Sequence, residues 1–294
     1  MAAVSFRRVA VIGTGLIGGS FALAVRKYFP DSFVVGWDKP GVLRRALERG
    51  AIHEAIPDLA LAVAGTDLIY LALPVGHSIE MLPEIARLAP PHALVTDACS
   101  TKRSICTVAE GAFHEGGAHF LGGHPMAGKE ISGIDAADAQ LFRGSKYALI
   151  RTSAKEKGSG PREAGVAAFV ALIEKLGAEP VWLEAAAHDR AAAVISHLPQ
   201  LLSVALAGVV RDQTDETGLP VTLAGRGLRD ALRLAGSPYS VWRDIILTNS
   251  DNLERVLDQM IQSLEQVRSD LRTRALEEEF SAAGELYKIL RDMQ

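Results

Sequence analysis

The sequence predicts an α/β half built on a parallel sheet, followed by an all-helical half, and three observations carry that reading. Up to about residue 184, short apolar runs alternate with amphipathic segments, the pattern of a parallel sheet with crossover helices. Several runs are rich in Val, Ile and Leu without alternation, as strands buried on both faces are. From Glu184 onward no β-branched run is bounded by turn residues, and apolar residues recur at three and four from Ala191, Val194 and Ile195 to Ala205 and Leu206. The expected division is between residues 1–184 and 185–294.

The expected strands are Val9 to Ile12, Phe33 to Trp37, Leu68 to Leu73, Ala93 to Thr96, Tyr147 to Ile150 and Pro180 to Leu183. A helix is expected from Leu16, and another from Glu163 to Leu176 behind a polar, glycine-bearing loop at Ser153 to Pro161. Gly122 to Glu130, glycine-rich and weak in either propensity, reads as a short loop. Helical periodicity returns over Ser240 to Leu247, Asn252 to Leu271 and Leu276 to Leu290. The mixed charges at Arg272, Arg274 and Glu277 to Glu279 read as a solvated face.

At 294 residues the chain can bury one large core or two ordinary ones. With 48% hydrophobic residues it is not a disordered chain. A net charge of −4 with dispersed Lys and Arg gives no footprint for nucleic acid or an anionic membrane. The longest weakly polar stretch, Leu198 to Val210, falls short of the ~20 residues of a membrane span. Arg7 and Arg8 lead into a glycine turn rather than a cleavage site, and Cys99 and Cys106 are too few for a disulfide framework. The expectation is a soluble, cytoplasmic protein.

Gly13-Thr14-Gly15-Leu16-Ile17-Gly18 follows the first strand directly and opens the first helix. Its glycines suit a tight turn, close approach of backbone to a pyrophosphate, and helix–strand packing. A pyrophosphate at the helix N-terminus meets unpaired N–H groups. Asp38 ends the second strand 20 residues after Gly18, where a carboxylate accepts from ribose hydroxyls and repels a 2′-phosphate. A Rossmann-type domain binding NAD is therefore expected; Lys39, Arg44 and Arg45 keep NADP open as the less favoured cofactor. Leu73-Pro74 and the segment Asp97 to Lys102 leave two further strand ends toward the same crevice. There Ser100 either orients a polar group or caps the helix that begins near Lys102.

Among eight histidines, His114 and His119 miss the spacing of a zinc helix, and His53, His77, His92 and His188 have no partner at ligand spacing. His124 differs, lying in the glycine-flanked segment where a rigid sheet can hold a catalytic group.

The dinucleotide fingerprint, Asp97 to Lys102, Gly123-His124-Pro125-Met126-Ala127-Gly128, Ser196-His197-Leu198-Pro199, Gly227-Leu228-Arg229-Asp230 with Arg233, and Trp242-Arg243-Asp244-Ile245 occur in this order. The set resembles the prephenate/arogenate dehydrogenases of tyrosine biosynthesis over essentially the whole chain. The resemblance implies an oxidoreductase that passes hydride from a cyclohexadienyl substrate to NAD while the ring carboxylate leaves as carbon dioxide. It implies His124 as hydrogen-bond acceptor and base, Ser100 as a second partner of the substrate hydroxyl, and Glu130 at the pocket edge. Arg233 matches the holder of a substrate carboxylate, for which a guanidinium fork is well shaped. Ser196, His197 and Ser237 match pocket residues, and Trp242 one that reaches toward a neighbouring subunit's site. His197 as a kink residue and Trp242 as plain core remain the bland alternatives. The helical half is expected to form a homodimer, with no room left in 294 residues for an appended chorismate mutase or ACT domain.

Cys99, Arg226 and Pro238-Tyr239 depart from the family pattern; Cys99 is read as packing rather than as a redox-sensitive thiol. Prephenate is the favoured substrate because Gln200, near His197, is neutral, while an arogenate ammonium calls for an acidic partner; a dual cyclohexadienyl dehydrogenase stays open. A β-hydroxyacid dehydrogenase would, by resemblance, use a lysine on the first long helix of the second half, and no lysine occurs between Lys175 and Lys288. A silent NAD-binding sensor or scaffold would need Asp38 and the glycines, but not His124 together with Arg233.

Overall fold

A computed structural model describes residues 6–129, 131–150 and 161–292. Its strands are β1 (Arg8–Ile12), β2 (Phe33–Trp37), β3 (Glu54–Ala55), β4 (Leu68–Leu71), β5 (Leu94–Asp97), β6 (His119–Pro125), β7 (Lys146–Ile150) and β8 (Glu179–Leu183). They form one sheet in the order β3-β2-β1-β4-β5-β6-β7-β8, parallel throughout except where β6 runs against β7. The order reverses at β1, which has β2 on one side and β4 on the other. That reversal opens a crevice at the carboxyl ends of the strands.

Helices α1 (Leu16–Tyr28), α2 (Pro40–Glu48), α3 (Leu59–Val63), α4 (Val75–Leu88), α5 (Arg103–Ala112) and α6 (Pro161–Lys175) connect the strands. Phe21, Val25, Tyr70, Tyr147 and Phe169 join one buried cluster, with Phe21 stacked on Tyr70 at 3.8 Å. Ile12, Ile69, Leu82, Val95 and Ile105 join the other. The apolar runs at β4 and β5 are buried at every position, which is why they do not alternate.

Residues expected to form a loop around His124 are instead partly strand, since β6 extends to Pro125 and pairs with β7. Propensity misleads here because the sheet leaves no room for side chains. A Cβ on Gly122 would lie 3.0 Å from Cys106 Sγ, and one on Gly123 would lie 2.6 Å from the Asp97 carbonyl oxygen. Tertiary closeness selects glycine in spite of its weak strand preference.

After Leu183 come α7 (Ala185–Ala192), a π-helical turn (Ala193–His197) and α8 (Leu198–Asp212). Together they form one 28-residue helix, long and apolar enough by length and composition to cross a membrane. This corrects the shorter apolar stretch expected from the sequence. Pro199 has no N–H to give the Ile195 carbonyl and its ring crowds that group; the wider turn just before it lets the helix continue. Next are α9 (Leu219–Thr222), α10 (Arg226–Leu232), a 3₁₀ turn (Arg233–Gly236), α11 (Tyr239–Thr248), α12 (Ser250–Asp270) and α13 (Leu276–Asp292). The compact units run Met1–Asn249 and Ser250–Gln294, so the sheet and the helices up to Asn249 share one unit.

Gly123→Ala should lower stability by about 1–3 kcal/mol through overpacking, read as a drop in Tm. Gly41→Ala, where a Cβ meets nothing within 4 Å, should leave Tm unchanged or slightly raised.

Candidate active site

The β1–α1 turn has the geometry of an anion cradle. Gly13 sits at φ +92°, and a Cβ there would lie 2.6 Å from the Ala72 carbonyl oxygen, so only glycine fits. At Gly15 a Cβ would meet nothing within 4 Å, leaving the backbone open to an incoming group. No side chain caps α1, whose first amides point into that space. At the end of β2, the Asp38 carboxylate accepts from Thr14 N–H at 2.7 Å and Lys39 N–H at 2.7 Å, which fixes it beside the turn. Arg45 is held by Asp135 and Glu48, leaving Lys39 and Arg44 as the exposed cations near Asp38. These residues fit a dinucleotide, its pyrophosphate at the turn and a ribose beside Asp38. A cavity of about 330 Å³ adjoins the turn, lined by Gly15, Leu16, Ile17, Leu73, Pro74, Cys99, Ser100 and Ser237 among others.

Beside this cavity a buried polar network sets the position of His124. Asp97, at the end of β5, accepts from Gly123 N–H and Cys99 N–H at 2.9 Å and pairs with the Lys102 ammonium. Lys102 Nζ also donates to the Gly123 carbonyl at 2.7 Å. Burial works against that ammonium's charge, yet Asp97 holds its pKa above the ordinary lysine value. Ser100 is not the helix cap. The first amides of α5 donate to the Asp189 carboxylate, Lys102 N–H at 2.7 Å and Arg103 N–H at 2.9 Å. Asp189 Oδ1 also lies 2.8 Å from His188 Nδ1, and His188 Nε2 lies 2.9 Å from His124 Nδ1.

The charge states follow from these contacts. Burial alone would raise the Asp189 carboxyl, but hydrogen bonds from His188 and the Arg103 and Lys102 amides hold it below the usual carboxylate range. Burial, then the neighbouring His188, Lys102 and His197, push His124 well below the ordinary imidazole range, so it stays neutral at pH 7. Burial likewise lowers His197 to about 4. The Cys99 thiol is pushed far up by burial and the Asp97 charge, which makes it packing rather than a reactive thiolate.

The remaining expected residues divide into two groups. His197 ends the π-helical turn, with Nδ1 3.2 Å from Asn249 Nδ2 and its ring edge-on to Trp242 at 5.9 Å in the same chain. Ser196 is half-buried next to it. Arg233 is exposed on the 3₁₀ turn, and neither it nor His124, Ser196, His197 or Trp242 lines the cavity, which Ser100 and Ser237 do. Glu130 lies outside the described residues, and so does the loop expected at Ser153 to Pro161 except for Pro161, which begins α6.

The family model described as "Prephenate dehydrogenase, nucleotide-binding domain" matches residues 21–178, and "Prephenate dehydrogenase, dimerization domain" matches residues 184–291. The chain belongs to the prephenate dehydrogenase family. It is similar to the prephenate dehydrogenase of Lactococcus lactis subsp. cremoris, 34% identical over 85% of this chain and 67% of that one. The Aquifex aeolicus prephenate dehydrogenase, crystallised with hydroxyphenyl propionate and NAD+, is 26% identical with a TM-score of 0.85, covering 98% of both chains. Synechocystis arogenate dehydrogenase is 28% identical with a TM-score of 0.70, covering 97% of this chain and 96% of that one.

In this member of the prephenate dehydrogenase family, sequence reading missed Asp97, Lys102, His188 and Asp189 as parts of the site. One signal was available: Asp189 is the only carboxylate between Glu184 and Asp212, in a mostly apolar helix, and it follows a histidine. A lone acid in such a segment has to find partners when buried.

Lys102→Met should leave Asp97 buried without its cation and lower unfolding free energy by about 3–5 kcal/mol. Urea denaturation checks this, with Asp97→Asn in the same chain expected to restore part of the loss.

Proposed function

We propose that this chain catalyses the NAD-dependent oxidative decarboxylation of prephenate to 4-hydroxyphenylpyruvate. The observation that carries the reading is a neutral His124 that follows Gly123, whose N–H is held by Asp97 at the start of the loop carrying Ser100, a residue lining the cavity beside the glycine turn. Gly13, Gly15, Leu16, Ile17 and Gly18 would hold the pyrophosphate, Asp38 the ribose hydroxyls, and Leu73 and Pro74 the nicotinamide side of the crevice. Bound NAD supplies the hydride acceptor. His124 takes the proton of the ring hydroxyl as general base, with Ser100 orienting that hydroxyl. Arg233 holds a substrate carboxylate, and Ser196, His197, Ser237, Glu130 and Trp242 complete the pocket.

Gln200 is buried, donates to the Leu234 carbonyl and carries no charge. A neutral amide there suits the keto side chain of prephenate better than the ammonium of arogenate. NAD is favoured over NADP because the Asp38 carboxylate, fixed by Thr14 and Lys39, would meet a 2′-phosphate with its negative charge.

Residues 185–294 form the substrate and dimerisation half in this reading. Val194, Ile195, Val204, Val209 and Leu219 are exposed apolar residues on helices matched by the dimerization model, and Leu223 is exposed just past α9. A second copy of the chain covers them, which places the apolar helix in a homodimer rather than a bilayer. The enzyme works in the cytoplasm with both cysteines as free thiols.

Purified protein should form NADH when given prephenate and NAD, followed by absorbance; no turnover with prephenate or arogenate on either cofactor would overturn the reading, and faster turnover of arogenate would reassign the substrate. His124→Asn should lower kcat by about 10²-fold or more with KM little changed. Asp38→Ser should relax the preference for NAD, measured as the ratio of kcat/KM with NAD to that with NADP; an unchanged ratio would transfer the selection to Lys39 or Arg44.

A further inference from the structure

His188 is 3% exposed and Asp189 fully buried, so neither finds water to settle its hydrogen bonds. An ionised carboxylate only accepts, so Asp189 requires the proton of His188 on Nδ1. That leaves the lone pair of neutral His188 on Nε2, 2.9 Å from His124 Nδ1. His124 must then donate from Nδ1, and its own lone pair lies on Nε2. Three side chains in series thus select one tautomer of His124.

We propose that His188, anchored by Asp189, is the positioning residue and proton partner of His124, an inference that rests on His124 being the base. His188 holds the His124 tautomer whose Nε2 accepts the substrate hydroxyl proton. As that proton arrives and the O–H bond breaks, the Nδ1 proton of His124 passes to His188 Nε2, so that positive charge develops next to the Asp189 carboxylate. The transfers reverse when the ring becomes aromatic and its oxygen takes the proton back. The proton is borrowed, and none is released in the net reaction.

The charged and titratable surroundings of His188 agree with this. His124 faces it from β6 and Asp189 lies beside it on α7. At the start of α5, the amides of Lys102 and Arg103 grip the same carboxylate, with the Arg103 side chain 3.6 Å from it and Asp97 pairing the Lys102 ammonium. His197 acts on the pair from the π-helical turn. Asp189 is the carboxylate in direct contact with His188, so a proton passed to His188 is held beside it.

His188→Gln tests the proposal, because the Gln carbonyl oxygen reaches the place of Nε2 and still accepts from His124 but cannot take a proton. With prephenate and NAD, kcat should fall about tenfold while KM stays within about twofold. Wild-type kcat in His188→Gln would overturn the relay while leaving His124 as the base. Wild-type turnover in His124→Asn would instead overturn the base itself. The tautomers can be read without any variant, from nitrogen-15 histidine spectra of the wild-type protein at pH 7. Protonated Nδ1 and unprotonated Nε2 are expected at both His124 and His188, and a proton on His188 Nε2 would overturn the proposal.

Discussion

The Asp189 carboxylate is the contact on which the site depends. One oxygen takes the Lys102 amide and His188 Nδ1, the other takes the Arg103 amide, and the group is fully buried. A desolvated carboxylate is tolerable only when such donors surround it. Satisfying Asp189 therefore forces the start of α5, which belongs to the sheet, against α7, which begins the helical run. The same three donors fix the Ser100 loop on one side and the imidazole pair on the other. A side chain that does not line the cavity thus determines where His124 stands.

The Asp97–Lys102 pair is a second constraint of the same kind, acting across strands. It closes the β5–α5 loop on itself and grips both polar groups of Gly123, the residue before His124. Side-chain networks of this sort stiffen a site when every member is paired and are costly when one is lost. The apolar clusters above and below the sheet make this possible by keeping water out of the strand ends. The sheet then works as a rigid frame, with its chemistry on the segments that leave it.

Much of this architecture was legible from the sequence. The apolar runs marked six of the eight strands among the described residues, β4 and β5 most clearly because burial on both faces removes alternation, and the glycine turn with Asp38 carried its own spacing. The two strands not read were β3, only two residues long, and β6, whose Gly122 and Gly123 speak against a strand. Those glycines are explained by the Asp97 carbonyl and the Cys106 sulfur, atoms distant in sequence that come close only in the fold. The helix through Pro199 was also underestimated, since a proline reads as a stop unless a π-helical turn precedes it.

By itself the sequence determined the alternation of strands and helices, the dinucleotide turn and the histidine to watch, because these depend on local spacing and residue chemistry. It also marked the family through an ordered set of short motifs. What only the tertiary structure decided was the company His124 keeps. His188 looked like a residue without partners, because its partners lie 64 positions away in β6 and one position away on its own helix. Whether adjacent residues share a hydrogen bond, and which imidazole nitrogen faces which partner, depends on how buried polar groups find one another across the fold.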